Sequence, residues 1–269
     1  MTMLKNLLDK WTAQPLSGKL YTSGNAALML AMGVLMTIPW TAQRTLTLFM
    51  AIPLLLFMAG FLIWFVPKLL AFGRSQIGTV PIVVVSTLLA PICLGLARQF
   101  VGAIVQLPPQ SFDVTVALFA VLFIPIGWGV VVGAILLFVG LVLILSVMTS
   151  AFFRPFAGIF AVNPAGWLAH TLEHVEAVER TVRNHAAGAF VFATFILLLS
   201  AFYASAVLNP AVGRLAAYAL DFSYSDKYPG IESGQRIRLL DNSLVAYAER
   251  HGFDVEFDVK QYARSDKTE

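Results

Sequence analysis

Charged residues are scarce in this chain, and so is cysteine. Asp, Glu, Lys and Arg make up 12% of the 269 residues, and 58% of the residues are hydrophobic. An average soluble domain is about 25% charged. The single cysteine, Cys93, excludes an internal disulfide and a cysteine-based zinc site. With a mean hydropathy of +0.79, these shortages indicate an integral membrane protein rather than a soluble domain.

The net charge of +3 is divided unevenly along the chain. Residues 1–208 carry ten Lys and Arg against five Asp and Glu, whereas residues 209–269 carry eight against ten. The basic residues flank apolar segments, so we expect contact with a lipid bilayer and no nucleic-acid binding. The chain contains neither a glycine-rich phosphate loop nor a Ser-His-Asp grouping. We therefore predict no cofactor, no catalytic residues and no enzyme activity.

The longest uncharged stretch runs from Val114 to Phe153. As a straight helix its forty residues would span about 60 Å, twice the hydrocarbon thickness of a bilayer. Pro125, Gly127 and Gly129 interrupt the pattern and are candidate helix-break residues. We predict one long broken or kinked helix, with a helical hairpin as the alternative.

Four further apolar segments are long enough to cross a membrane: 24–40, 46–66, 79–97 and 186–208. With 114–153 they make about five transmembrane helices. If the N-terminus is cytoplasmic, the inner segments hold eight Lys and Arg and the short outer loops hold only Arg44 and Arg98. The positive-inside rule thus predicts a bacterial inner-membrane protein with its N-terminus in the cytoplasm and its C-terminus in the periplasm.

The chain divides into three parts. Residues 1–20 form an amphipathic N-terminal segment, and 21–208 form the membrane bundle, including a cytoplasmic amphipathic helical segment at 164–185. Residues 209–269 form a small β-rich domain outside the membrane. We expect residues 99–113 to form a loop, since Pro108-Pro109 breaks helix.

Period-two alternation in the tail predicts a three-stranded antiparallel meander. The predicted strands are 236–240, 244–250 and 254–262, separated by turn residues. Such a small sheet needs apolar surface to cover, so we expect it to pack on 211–220 or on the loop at 99–113. We also expect Arg236, Arg238 and Arg250 to pair across strands with acids of the last strand.

One motif matches a pattern from metal enzymes. His170, Glu173 and His174 fit H-x-x-E-H, in which two histidines on one helix face bind zinc and the glutamate is the general base. The same residues fit the polar face of an amphipathic helix, and no second ligand segment accompanies them. They are weak metal candidates, and a zinc-dependent membrane hydrolase is the third functional hypothesis.

The predicted spans contain no Asp, Glu, Lys, Arg or His, which argues against a proton-driven transporter. The leading prediction is a multi-pass binding or accessory protein, such as an immunity protein or an envelope-complex subunit. A channel or transporter using the broken helix is the alternative. The sequence is compatible with a homo-oligomer and does not decide the oligomeric state. The candidate partner-binding residues lie in the C-terminal domain: Tyr224, Lys227, Tyr228, Arg236, Arg238, Asp254, Glu256 and Asp258.

Overall fold

The computed structural model describes residues 11–37, 43–160, 166–224, 234–240 and 244–261. For 35–37, 43–48, 153–160, 166–178 and 180 it describes the backbone alone. The predicted amphipathic helix at the N-terminus lies mostly outside these residues.

Six α-helices and four strands make up the described chain. The helices are α1 (Leu16–Thr37), α2 (Gln43–Arg74), α3 (Gln76–Val105), α4 (Asp113–Phe160), α5 (Gly166–Val207) and α6 (Pro210–Leu220). The strands are β1 (Ser223–Tyr224), β2 (Arg236–Leu239), β3 (Leu244–His251) and β4 (Asp254–Gln261). The predicted class, a helical membrane protein with a small antiparallel sheet at the C-terminus, is confirmed.

Four described segments are long and apolar enough to cross a membrane: Phe49–Arg74, Gln76–Val105, Asp113–Phe152 and Thr181–Val207. In each, fewer than a quarter of the side chains in its most apolar part are buried within the protein. Apolar side chains left outward on a helix suit lipid rather than water. The first predicted span, 24–40, falls largely on α1.

Helix α4 is a single continuous helix of 48 residues. Pro125, Gly127 and Gly129 lie inside it and do not divide it, so the hairpin alternative is wrong. Gly127 instead allows close packing, since a Cβ there would lie 3.0 Å from a methyl of Leu89. Its role is contact between helices, which small residues favour in membranes.

One other boundary differs from the sequence prediction. Helix α3 continues to Val105, so residues 99–105 of the loop expected at 99–113 are helical. Apolar residues such as Val101 and Ile104 are buried there and extend the helix through Arg98. A short 3-10 turn at Pro109–Ser111 then leads into α4.

The chain forms two compact units. Unit 1 comprises Met1–Val80 and Val131–Leu197. Its core contains Phe61, Leu136, Ala189 and Ala193. Close approach between α2 and α5 depends on Gly188, where a Cβ would lie 2.6 Å from the Cβ of Phe61.

Unit 2 comprises Pro81–Val130 and Leu198–Glu269. Its sheet has the order β1-β2-β3-β4 and is antiparallel throughout. The three predicted strands are confirmed, and the two-residue β1 is additional. One face of the sheet, with Ala246, Ala248 and Val255, packs into the same apolar core as Ala217 of α6 and Phe112. The predicted packing on 211–220 is therefore confirmed.

Candidate functional site

Three arginines join the C-terminal part of unit 2 to the carboxyl ends of helices. Arg214 Nε donates to the carbonyl oxygen of Ile104 at 3.0 Å, in the last turn of α3. Arg236 Nη1 donates to the carbonyl of Tyr218 at 2.7 Å, near the end of α6. Arg238 Nη1 donates to the carbonyl of Asp221 at 3.3 Å, at its C-cap. Cations are stabilising at helix C-termini because the carbonyls there carry partial negative charge.

Asp221 makes the complementary contact at the start of α4. Its buried carboxylate accepts hydrogen bonds from the amides of Thr115 at 3.0 Å and Val114 at 3.4 Å, and from the hydroxyl of Thr115. A carboxylate at a helix N-terminus satisfies amides that have no partner within the helix. The arginines at the C-termini of α3 and α6 and the Asp221 carboxylate at the start of α4 thus hold the C-terminal part of unit 2 against these helices.

These contacts correct the predicted cross-strand ion pairs. Strand β3 lies between β2 and β4, so Arg236 and Arg238 face Ala248 and Ala246 rather than acids. Arg250 faces Val255 and donates to the carbonyl of Gly252 at 2.6 Å. These arginines instead donate hydrogen bonds to backbone carbonyls at a helix end and in a turn.

A cavity of about 250 Å³ lies beside β4. Its apolar lining comes from Ile104, Val105, Val255 and Phe257, and its polar lining from Gln106, Arg214 and Glu256. Gln106 has φ 58°, in the left-handed region that few residues other than glycine adopt. It follows the last residue of α3, where this conformation ends a helix.

The other face of the sheet carries exposed acids. The register places Glu249 opposite Glu256, and His251 and Tyr247 opposite Asp254 and Asp258. All four acids are exposed. Two ion pairs offset part of this charge, Arg214 with Asp254 at 3.9 Å and Lys260 with Asp258 at 3.4 Å. His251 Nε2 also lies 3.9 Å from a carboxylate oxygen of Glu249. We call Glu249, Asp254, Glu256 and Asp258 the acidic face.

The predicted partner-binding residues therefore separate into two groups. Asp254, Glu256 and Asp258 belong to the acidic face. Arg236 is held between the rings of Tyr218 and Tyr224, with its guanidinium carbon 4.4 and 4.6 Å from the ring centroids. Arg236 and Arg238 are thus committed to contacts within unit 2. Lys227 and Tyr228 lie outside the described residues.

The weak metal candidates are placed only by their backbone. His170, Glu173 and His174 lie on α5, where a spacing of four places both histidines on one face. Their side chains are outside the described set. Among the side chains that are described, no group of three or more His, Cys, Asp or Glu could hold a metal ion.

Unit 1 contains a polar cluster that the sequence analysis missed. The hydroxyl of Tyr21 lies 2.8 Å from Nδ1 of His185, and both side chains are buried. The indole of Trp64 stacks on the imidazole at a centroid distance of 4.1 Å. Nζ of Lys68 lies 3.8 Å from the centroid of the Trp64 ring. These four residues, from α1, α2 and α5, form what we call the Tyr-His-Trp-Lys cluster.

The cluster links a buried pair to an exposed cation. Burial raises the pKa of the Tyr21 hydroxyl, so the phenol stays protonated and can donate to His185. Lys68 is exposed at the other end of the chain of contacts. The signal in the sequence was the histidine directly preceding Ala186, where the fifth span was predicted to begin. The helical span starts at Thr181 and includes His185.

Comparison with family models, with curated proteins and with solved structures gives no match for this chain.

Proposed function

We propose that the protein is a multi-pass binding or accessory protein of the bacterial inner membrane, without catalytic activity. Its C-terminal sheet binds a protein partner in the periplasm through the acidic face. An immunity protein and an envelope-complex subunit are two forms of this role. The proposed orientation, with the N-terminus cytoplasmic, is supported by the eight basic residues of the inner segments against two in the outer loops.

The observation that carries the proposal is the register of Glu249 opposite Glu256. Like charges directly opposite each other on a sheet are destabilising, by roughly 0.2–1 kcal/mol. Folding gains nothing from this pair, whereas a basic partner surface would be attracted to it and would neutralise it. Among the described arginines of unit 2, Arg236 and Arg238 bind helix ends, and Arg214 pairs with Asp254 rather than with either glutamate.

Crosslinking in the native membrane, followed by mass spectrometry, tests the proposal. The variant Glu249→Gln/Glu256→Gln should lose the partner that wild type recovers. Asp113→Asn removes an exposed acid at the start of α4 and should retain the partner. Removing like charges should leave the double variant at least as stable as wild type, so a lost partner would not reflect unfolding. Equal recovery of the partner by all three proteins would refute a role for the acidic face.

The orientation is tested separately. A reporter that is active only in the periplasm, fused after the last residue, should be active. Activity of a cytoplasmic reporter at the same position would contradict the proposed topology and leave the acidic face in the cytoplasm.

Transport is the second candidate function, favoured by the Tyr-His-Trp-Lys cluster. The spans predicted from the sequence contain no ionisable residue, whereas the longer candidate spans of the structure include Lys68, Arg183 and His185. A buried intramembrane histidine is a feature of proton pathways. The route through a broken α4 is not supported, since that helix is continuous. Solute or proton flux in liposomes that contain only this protein would favour transport over the accessory role.

A further inference from the structure

The exposed end of the Tyr-His-Trp-Lys cluster presents a cation whose position is fixed by its neighbours. Tyr21 holds the ring of His185, His185 stacks on Trp64, and the Trp64 ring lies beneath the ammonium group of Lys68. An ammonium group over an indole face is attracted by the ring quadrupole. Lys68 therefore loses less conformational freedom on binding an anion than a lysine that moves freely.

The cluster lies near one end of two membrane spans. Lys68 is six residues before Arg74, where the span Phe49–Arg74 ends, and His185 is four residues after the start of Thr181–Val207. At 1.5 Å per residue, these offsets are about 9 and 6 Å. A lysine at this depth extends its ammonium group toward the lipid headgroups, and tryptophan is enriched at the same level.

The charge around the cluster is positive and lacks compensation within the described chain. Lys68, Arg74 and Arg183 are exposed. Within unit 1, the only described acidic side chain is that of Glu179. Among described residues, none of these three cations lies within ion-pair distance of a carboxylate; the ion pairs found are in unit 2. An anion is therefore the expected ligand of this surface.

We propose that Lys68, positioned by Trp64, binds the phosphate of an anionic phospholipid headgroup at this end of unit 1. The phosphate accepts hydrogen bonds from the ammonium group, and Arg183 adds to the attraction. A phosphatidylglycerol headgroup meets these groups without a cation of its own, whereas phosphatidylcholine brings a quaternary ammonium that competes with them. This site is independent of the acidic face and of the partner proposed for it.

Native mass spectrometry of the full chain in mild detergent tests the site. Phosphatidylglycerol should bind more tightly than phosphatidylcholine. Lys68→Gln should weaken phosphatidylglycerol binding about fivefold, the effect of one basic residue at an anionic surface, and should leave phosphatidylcholine binding unchanged. Lys68→Arg keeps the charge and the ring contact and should bind as wild type does.

Lys260→Gln is the matched control, because Lys260 also lies over an aromatic ring, 5.2 Å from the centroid of Tyr247, but on the sheet of unit 2. It should bind phosphatidylglycerol as wild type does. Inorganic phosphate at millimolar concentration distinguishes the two sources of the ligand: failure to displace the lipid supports the headgroup, and displacement shows that free phosphate is the ligand. Equal affinity for the two lipids, or a Lys68→Gln variant that binds like wild type, would overturn the proposal.

Discussion

Replacing Asp221 by alanine should destabilise unit 2 far more than the loss of an exposed charge would, so that its core opens more frequently. The substitution removes the acceptor for the amide and the hydroxyl of Thr115, a residue with 0% of its surface exposed. A buried donor left without a partner costs about 1–3 kcal/mol. Two such donors therefore give a loss of about 2–6 kcal/mol in the stability of the unit.

The chain supplies its own reporter for this loss. Cys93, the single cysteine, is 2% exposed and belongs to the same core as Phe112 and Val116, which flank Thr115. A thiol reagent reaches it only when that core opens. Since 1.4 kcal/mol corresponds to a factor of ten, labelling of Asp221→Ala in mild detergent should be about 30- to 10⁴-fold faster than labelling of wild type.

Two variants test whether the hydrogen bonds of the Asp221 carboxylate are what stabilises the start of α4. Asp113→Ala removes an exposed carboxylate from the first turn of the same helix, which is worth about 0.3–1 kcal/mol, so labelling should rise less than about sixfold. Asp221→Asn keeps an oxygen acceptor and should fall between the other two. If Asp221→Ala labels no faster than Asp113→Ala, Asp221 does not hold the start of α4.

Two further substitutions test the packing and the backbone of the separate units. Gly188→Leu should destabilise unit 1 by about 1–3 kcal/mol or more in detergent-denaturation experiments followed by circular dichroism, because a Cβ there meets α2 at 2.6 Å. Gly33→Leu, at a position with open space inside α1, should not destabilise unit 1 and should raise its stability by about 0.5–1 kcal/mol, because leucine favours a helix interior more than glycine does. Gln106→Gly should slow labelling of Cys93, because glycine adopts φ 58° without strain; faster labelling would show that the Gln106 side chain stabilises the end of α3.

The parts of the fold that depend on local sequence were predictable. The uncharged stretch 114–153 is helical and the alternating residues 254–261 form a strand, because period and polarity are properties of neighbouring residues. Pro125 does not divide this helix. Within a membrane helix, neighbouring helices and local adjustments satisfy the backbone groups that a proline frees, so the helix continued.

The contacts that fix the site were not predictable from one sequence. Asp221 and Thr115 are 106 residues apart, and Tyr21 and His185 are 164 residues apart. No spacing rule connects residues so distant. The arginine pairs were assigned wrongly for a related reason, since charge alternation along strands predicts ion pairs but does not show which strands are neighbours. Strand order is a property of the whole sheet.

The carboxylate that holds the start of α4 has a consequence for how the protein is made. Ribosomes add about 5–20 residues per second, so roughly 5–20 s separate the synthesis of Thr115 from that of Asp221. During that interval the first turn of α4 has been synthesised, but the Asp221 carboxylate that accepts its hydrogen bonds has not. The sheet that covers Phe112 does not yet exist either. The core of unit 2 is therefore completed only after its membrane helices have been synthesised, and a ribosome that stops before residue 221 releases a chain in which that core stays open.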